Sequence, residues 1–221
     1  MTAAGPAHVV LDQPAGGAPA FLVLLTHGAG GNPDTADVLA VRDAARELGA
    51  ATALVTQPYR VKGARAPGSA AKQDAAWAEL VEVLRGETAR DGARLPLVQC
   101  GRSNGARVAC RTAALTDAVA VLCLAFPLQP PRRSEAAAAA SRLAELDAVA
   151  VPTLVVQGTR DPFGTPPATT ERTVIEVPGD HSLKADLPAV SAAVQSWLTD
   201  LLARLDPDRS QHDVNSRANP S

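Results

Sequence analysis

A strand–turn–helix pattern in the middle of the chain constrains its fold most strongly. An apolar segment, 97–100, is followed by Gly101, Arg102, Ser103, Asn104 and Gly105 and then by a helical sequence. This Gly-x-Ser-x-Gly pattern is typical of a nucleophile elbow, in which a sharp turn lifts the serine hydroxyl out of a sheet. Glycines on both sides let strand and helix approach closely around a strained serine. The string is too short to be specific alone, so the rest of the chain has to supply a base, an acid and an oxyanion hole.

Apolar strands and amphipathic helices alternate along the chain. Strands are predicted at 8–12, 21–25, 51–56, 97–100, 117–126, 152–157 and 173–177. Helices are predicted after Asp34 or Thr35 as far as Gly49, and at 72–88, 104–115, 134–147 and 188–205. This order predicts an α/β fold with a mostly parallel central sheet and helices on both faces. Ligands of such sheets bind at the carboxyl ends of the strands.

The length of 221 residues fits one domain with a sizeable core. Aromatic residues make up only 3% of the chain, so the core has to be built from Ala, Val and Leu. Residues 207–221 are polar and show no apolar periodicity. We therefore predict a single domain over 1–206 and a disordered C-terminal tail over 207–221.

Charge and apolar patterning exclude several classes of partner. The net charge is -2 and no basic stripe is present, so nucleic acid is not expected. The longest apolar run, 118–126, is too short to span a bilayer, and the N-terminus lacks the features of a secretory signal. The chain has three cysteines, Cys100, Cys110 and Cys123. Their odd number and the lack of metal-ligand spacing predict buried, reduced thiols in a cytoplasmic protein. Neither a metal nor a cofactor is expected, and the oligomeric state stays open.

Residues that suit acyl-transfer chemistry follow the predicted strands. A serine hydroxyl needs a neighbouring base, usually histidine, and the base needs a carboxylate that orients it. Ser103, Asp161 and His181 occur in the order serine, acid, histidine, each just after a strand. Asp180 and Asp186 stay open as alternative acids, with Asp180 the weaker because it adjoins the histidine.

A glycine-rich loop, 27–31, follows another predicted strand where an oxyanion-hole loop is expected. We assign one oxyanion donor to the backbone of Asn104 and the second to Ala29, with Gly30 next. A phosphate-binding loop is the alternative, but the P-loop lysine and the full Gly-x-Gly-x-x-Gly pattern are missing. His27 is interpreted as a structural hydrogen-bonding residue in preference to a second base.

Five segments carry a resemblance to a known family. They are 26–31 (THGAGG), 101–107 (GRSNGAR), 126–131 (FPLQPP), 151–164 (VPTLVVQGTRDPFG) and 180–183 (DHSL). Over about residues 20–205 the chain resembles the small α/β-hydrolases grouped with the testis-expressed and KAT8-regulatory-complex hydrolase-like proteins, which are similar to dienelactone-hydrolase-like enzymes. The resemblance implies an α/β-hydrolase fold and serine hydrolase activity, but no particular substrate, and some members act as complex subunits. Dienelactone hydrolases proper use a cysteine nucleophile where this chain has Ser103; Cys100 lies three residues earlier, on the strand.

The substrate side is expected to be open. In many α/β-hydrolases a helical cap follows the strand that ends here at Phe126, and the segment 127–133 is too short for one. This predicts a shallow site without a substantial cap or a deep apolar tunnel. Its walls would include the loop 57–71 and the residues Asn32, Tyr59, Arg102, Phe126 and Phe163. Arg60 and Arg65 either favour an anionic acyl group or are simply solvated.

The function predicted from these patterns is hydrolysis of a carboxylic ester or thioester through an acyl-enzyme on Ser103. The partner would be a small-molecule acyl substrate. Two alternatives stay open: a non-catalytic interaction protein on a hydrolase scaffold, and a small peptidase or dienelactone-hydrolase-like enzyme.

Overall fold

A seven-stranded sheet forms the centre of the structure, a computed structural model that describes residues 1–14, 17–89, 92–129 and 140–205. The order of its strands is β1-β3-β2-β4-β5-β6-β7. The strands are β1 (His8–Asp12), β2 (Phe21–Thr26), β3 (Ala50–Thr56), β4 (Leu97–Arg102), β5 (Ala120–Leu124), β6 (Thr153–Gly158) and β7 (Arg172–Val177). Among the strands of the described ranges, only the edge strand β1 pairs antiparallel, with β3, so the predicted mostly parallel sheet is confirmed.

Helices cover both faces of the sheet. They are α1 (Ala36–Glu47), α2 (Pro58–Val61), α3 (Ala70–Glu87), α4 (Asn104–Thr112), α5 (Leu143–Asp147) and α6 (Leu187–Leu205). Apolar residues of α1 and α6 pack in one core cluster, and those of α3, α4 and α5 pack in the other. Along β2, Phe21 and Val23 belong to the first cluster, whereas Leu22 and Leu24 belong to the second. Successive side chains of a strand point to opposite faces, which explains why β2 is continuously apolar.

The strand register aligns the loops that carry the candidate site. Thr26 at the end of β2 pairs with Gly101 near the end of β4, so the loop 27–31 and the elbow leave the sheet side by side. Gly158 at the end of β6 pairs with Val177 at the end of β7, so the loops carrying Asp161 and His181 do the same. All four loops therefore emerge at one carboxyl edge of the sheet.

The bounds of several elements differ from the sequence prediction. Strand β5 begins at Ala120 instead of 117, because Asp117 adopts a left-handed conformation with φ of 50° and belongs to the preceding turn. The predicted loop 57–71 contains α2 and the first two residues of α3.

The region after β5 bears on the prediction that no substantial cap is present. Only residues 125–142 separate β5 from α5, and their described parts contain no helix and no cap domain. Of the helix predicted at 134–147, residues 143–147 form α5, whereas 134–139 lie outside the described residues, as does the tail predicted at 207–221.

Candidate active site

Ser103 occupies a strained turn between β4 and α4. Its backbone has φ of 53° and ψ of -111°, a conformation that a residue with a side chain rarely adopts. The Ser103 N–H donates to the Leu124 carbonyl at 2.8 Å, which fixes the turn to β5. A Cβ on Gly101 would lie 2.1 Å from the carbonyl carbon of Gly105, and one on Gly105 would lie 2.7 Å from the His27 carbonyl oxygen. The predicted strand–turn–helix, with close approach at both glycines, is confirmed.

His181 joins Ser103 to Asp161. Its Nε2 lies 2.9 Å from the Ser103 Oγ, and its Nδ1 lies 2.8 Å from the Asp161 Oδ2. A neutral imidazole with the proton on Nδ1 donates to Asp161 and accepts the Ser103 hydroxyl proton on Nε2. The Asp161 side chain is fully buried and that of His181 is 20% exposed. The three residues that the sequence singled out therefore form one continuous hydrogen-bonded chain.

Two neighbours hold the Asp161 carboxylate in place. The Phe163 N–H donates to Oδ1 at 2.9 Å, and the Gln157 amide donates to Oδ2 at 2.8 Å. The Phe163 ring also packs edge-on against the His181 ring, with centroids 4.5 Å apart. The sequence analysis missed Gln157, although a buried polar residue in an otherwise apolar strand, four residues before the acid, is a usable signal.

Asp180 and Asp186, the alternative acids, bond to their own local backbone. Asp180 Oδ1 accepts from the Ser182 hydroxyl at 2.7 Å and from the Ser182 N–H at 2.8 Å, and these bonds lower the pKa of its carboxyl. Asp186 Oδ1 accepts from the Ala189 N–H at 2.9 Å, at the start of α6. Within the described part of the chain, only Asp161 places a carboxylate against the ring of His181.

The glycine-rich loop lies directly against the elbow. A Cβ on Gly28 would lie 3.2 Å from the Ser103 Cβ. The Gly28 carbonyl accepts from the His27 Nδ1 at 2.8 Å, the Gly31 N–H at 3.1 Å and the Tyr59 hydroxyl at 3.4 Å. In a trans peptide the N–H points opposite to the carbonyl, so these three donors also set the direction of the next N–H, that of residue 29.

Both predicted oxyanion donors are located where an N–H has no other partner. Among the described residues, no acceptor bonds the N–H of Ala29, whereas the N–H of Gly30 faces the Tyr59 hydroxyl and opposes the rise in the pKa of Tyr59. Asn104 is the first residue of α4, so its N–H has no carbonyl one turn earlier to bond. The amide side chain of Asn104 donates to the Gln73 Oε1 at 2.7 Å, which anchors this residue on α3.

His27 is fully engaged in structural hydrogen bonds. Its Nδ1 donates to the Gly28 carbonyl, and its Nε2 accepts from the Gln57 N–H at 3.0 Å. Burial lowers the pKa of His27, the Gly28 carbonyl opposes this, and the nearby Arg60 charge lowers it further. Because both ring nitrogens are used and the ring is neutral, the geometry matches the structural interpretation and not a second base.

The structure corrects one predicted substrate wall, Phe126, and shows structural contacts for a second, Arg102. Phe126 is fully buried in the core cluster on the α3 and α4 side, so it does not line an open site. Arg102 points across the elbow, donating from Nη2 to the His181 carbonyl at 2.9 Å, with its Nε 3.5 Å from the buried Asp37 carboxylate. Arg102 therefore joins parts of the protein to one another.

Of the other predicted walls, Asn32 and Tyr59 lie beside the glycine-rich loop, and Phe163 packs against His181. Asn32 is exposed, whereas Phe163 and Tyr59 are half-buried. Burial raises the pKa of Tyr59 to about 12, although the neighbouring Arg60 charge opposes the rise. Arg60 itself donates to the Gly31 carbonyl at 3.0 Å, so it supports the loop, while Arg65 is exposed.

Three further expectations concern the cysteine thiols, metal binding and membrane-spanning helices. Cys100, Cys110 and Cys123 are buried and not disulfide-bonded, and burial raises the pKa of the Cys100 thiol. In the described ranges, no group of three or more His, Cys, Asp or Glu side chains is arranged to hold a metal ion. None of the helices in those ranges combines the length and the apolar character needed to cross a membrane.

Comparison with known proteins identifies the family and the fold. The sequence profile of a family described as an alpha/beta hydrolase domain matches residues 19–189. No curated protein sequence matches the chain. Among solved structures, an alpha-beta serine hydrolase homologue from Coxiella burnetii has a TM-score of 0.69 at 16% identity, covering 90% of this chain and 94% of its own.

Two further structures extend the likeness. Est1E from Butyrivibrio proteoclasticus, solved with ferulic acid bound, has a TM-score of 0.68 at 17% identity over 89% of this chain and 96% of its own. A dienelactone hydrolase from Anabaena variabilis has a TM-score of 0.65 at 20% identity over 88% and 91%. At these identities the structural likeness shows a shared fold, that of the α/β-hydrolases.

Proposed function

The chain belongs to the alpha/beta hydrolase family, and from that premise we propose that it is a serine hydrolase that cleaves a carboxylic ester or thioester. The observation that carries this proposal is the hydrogen-bonded chain from Ser103 through His181 to Asp161. The serine hydrolase homologue among its structural neighbours supports the same class of chemistry. We also propose that, within this family, the chain belongs with the testis-expressed and KAT8-regulatory-complex hydrolase-like proteins.

The first half-reaction acylates the serine. Ser103 Oγ attacks the substrate carbonyl carbon while its proton passes to the His181 Nε2, and Asp161 stabilises the resulting imidazolium. The tetrahedral intermediate collapses when His181 returns the proton to the departing alcohol or thiol. The acyl group is then bonded to Ser103 Oγ.

The oxyanion of the tetrahedral intermediate needs aimed donors. We assign them to the N–H of Asn104 and the N–H of Ala29, with Gly30 as the next candidate. Support comes from the Gly28 carbonyl, whose three donors orient the following peptide. In the second half-reaction a water, deprotonated by the same His181, attacks the acyl-enzyme and releases a carboxylic acid.

The test combines activity with covalent labelling. Wild-type protein is treated with a fluorophosphonate and assayed on p-nitrophenyl esters of short acyl chains. Ser103→Ala should lose both labelling and activity, whereas Ser141→Ala, at an exposed position, should keep both. Labelling and hydrolysis that persist in Ser103→Ala would overturn the proposal.

The same experiment discriminates the alternatives. A folded wild-type protein that reacts with no ester, thioester or amide, and with no fluorophosphonate, favours a non-catalytic interaction protein. Activity on peptides alone favours a peptidase. A dienelactone-hydrolase-like reaction would have to use Ser103 in the place of the cysteine of those enzymes.

A further inference from the structure

A cavity of about 570 Å³ lies between α3, α2 and the N-terminal residues. Its walls include Ala3, Tyr59, Gln73, Trp77 and Leu80. The sequence predicted a shallow site without a deep apolar pocket. The cavity arises because the chain after β3 turns into α2, which carries Tyr59 over the first turns of α3. We call this space the α3 cavity.

Two residues that line the α3 cavity form hydrogen bonds with residues next to Ser103. Gln73 accepts a hydrogen bond from the side chain of Asn104, the residue after Ser103, at 2.7 Å. The Tyr59 hydroxyl donates to the carbonyl of Gly28, the residue that lies against Ser103. The cavity therefore adjoins the candidate active site on the side of the glycine-rich loop.

The inner wall of the α3 cavity is apolar. Ala76, Trp77 and Leu80 line it from α3, and Val55 lines it from β3. Gln73 and Leu80 are seven residues apart on α3, which corresponds to about 10 Å along the helix axis. An extended apolar body of that length can lie along this wall, away from water.

The rim of the cavity is positively charged. Lys62 and Lys72 line it and are exposed, and no Asp or Glu is among its described lining residues. In the described part of the chain, neither lysine has a carboxylate within 4.0 Å. The Glu79 carboxylate accepts from the N–H of Ala3, a wall residue, at 2.6 Å, so two lysines stand against one acid. An apolar cavity with a net positive charge at its rim is complementary to an anion with an apolar body.

We propose that the α3 cavity binds an amphipathic monocarboxylate with an apolar body of about six to ten carbon atoms, a size that fits a cavity of this length and volume. The body lies along the outer side of the α3 wall, between Ala75 and Tyr59, and the carboxylate lies at Lys62 and Lys72. This site does not require Ser103 to react.

Trp77 provides a direct reporter of occupancy. The chain has two tryptophans, and Trp197 lines a different cavity, beside α6. In a Trp197→Phe background, titration with sodium octanoate below its micelle concentration should change the Trp77 emission saturably. Octanamide, which has the same chain and no charge, should bind about fivefold more weakly, as should octanoate to the Lys62→Gln/Lys72→Gln variant.

A blocking variant tests the location. Ala75 lines the cavity from an exposed position on α3, so Ala75→Phe should fill it and abolish the octanoate response. Ala71→Phe is the matched control, because Ala71 is exposed on the same helix and does not line the cavity. Circular dichroism checks that each variant is folded.

Three results would overturn the inference: no saturable response in the folded Trp197→Phe protein, equal affinity for octanoate and octanamide, or an unchanged response in Ala75→Phe. Octanoate is not a substrate for ester hydrolysis, so these outcomes are independent of the Ser103 experiment. Ester hydrolysis is measured on the same variants. This measurement shows whether the cavity assignment or the proposed hydrolase activity is the one that fails.

Discussion

Arg102 donates a hydrogen bond from its guanidinium Nη2 to the main-chain carbonyl of His181 at 2.9 Å, across 79 residues of sequence. Because Arg102 immediately precedes Ser103, this bond ties the turn that carries the imidazole to the turn that carries the hydroxyl. The same guanidinium lies 3.5 Å from the buried carboxylate of Asp37 on α1. One side chain thus holds three separate segments in a fixed relation.

Loss of the Arg102 guanidinium should reduce turnover and stability together. Arg102→Gln removes the bond to the His181 carbonyl, and we expect kcat for p-nitrophenyl acetate to fall about tenfold with little change in KM. It also leaves the Asp37 charge without its cation, which should lower the unfolding free energy by about 3 kcal/mol. The double variant Arg102→Gln/Asp37→Asn should recover stability but not kcat. Recovery of both would mean that Arg102 has no positioning role.

Gln157 should hold the Asp161 carboxylate against the imidazole of His181. Its amide donates to the Asp161 Oδ2, and Gln157→Leu removes that donor while keeping a similar volume. Gln157→Glu instead places a second carboxylate beside Asp161, and repulsion between the two should displace the Asp161 carboxylate from His181. We expect kcat/KM for p-nitrophenyl acetate to fall about tenfold in Gln157→Leu and further in Gln157→Glu. Wild-type kcat/KM in a folded Gln157→Glu protein contradicts this.

The N–H of residue 29 can be deleted without changing a side-chain contact of the core. Ala29→Pro removes that donor, and loss of one oxyanion donor costs about 100- to 1,000-fold in kcat. Ala29→Gly keeps the N–H and should retain most of the activity. Equal activity of the two variants would transfer the assignment to Gly30, whose Pro variant is the next measurement.

His27 should make the protein less stable in mild acid. Its pKa in the folded state lies below the unfolded value of 6.5, so the unfolded chain binds a proton more readily. The stabilisation is complete above about pH 6.5 and is lost as the pH falls towards the folded-state pKa, by at most about 1.4 kcal/mol per pH unit. Urea unfolding between pH 7 and pH 5 should show a steeper decline for wild type than for His27→Gln. Parallel curves would show that His27 is not responsible.

Two glycines should respond in opposite ways to the same substitution. A Cβ on Gly101 would meet the Gly105 backbone at 2.1 Å, so Gly101→Ala should destabilise by more than about 3 kcal/mol or prevent folding. Gly86 lies near the end of α3 with nothing within 4 Å of an added Cβ, so Gly86→Ala should stabilise by about 0.5 kcal/mol. Thermal unfolding of both variants measures the contrast.

The juxtaposition of Ser103, Asp161 and His181 follows from local patterns. Each residue comes just after an apolar strand, and parallel strands bring their carboxyl ends to one edge of a sheet. Gly101 and Gly105 could be interpreted in the same way, because a Gly-x-Ser-x-Gly turn needs the absence of side chains on both sides. The chemical roles of these residues stay predictions that the Ser103 experiment tests.

The orientation of some side chains and the position of the cavity could not be predicted from local sequence, because they depend on how distant segments pack. Phe126 ends the predicted strand 117–126 but lies two residues beyond the end of β5, and no local pattern indicates that its ring turns into the core. Arg102 looks like a solvent-facing residue in the elbow until Asp37 and the His181 carbonyl are located beside it. The α3 cavity forms from segments before β1 and after β3, so no single stretch of sequence carries its signature.

The bond between Ser103 and His181 closes a chain segment of 78 residues. It can form only after β5, β6 and β7 have added to β4 in register, and such non-local parallel pairing is slow. During synthesis the elbow leaves the ribosome long before the imidazole does, so the nascent chain carries an incomplete site until its last strand has docked. Recovery of the Ser103–His181 pair after dilution from denaturant would therefore report the final stage of folding.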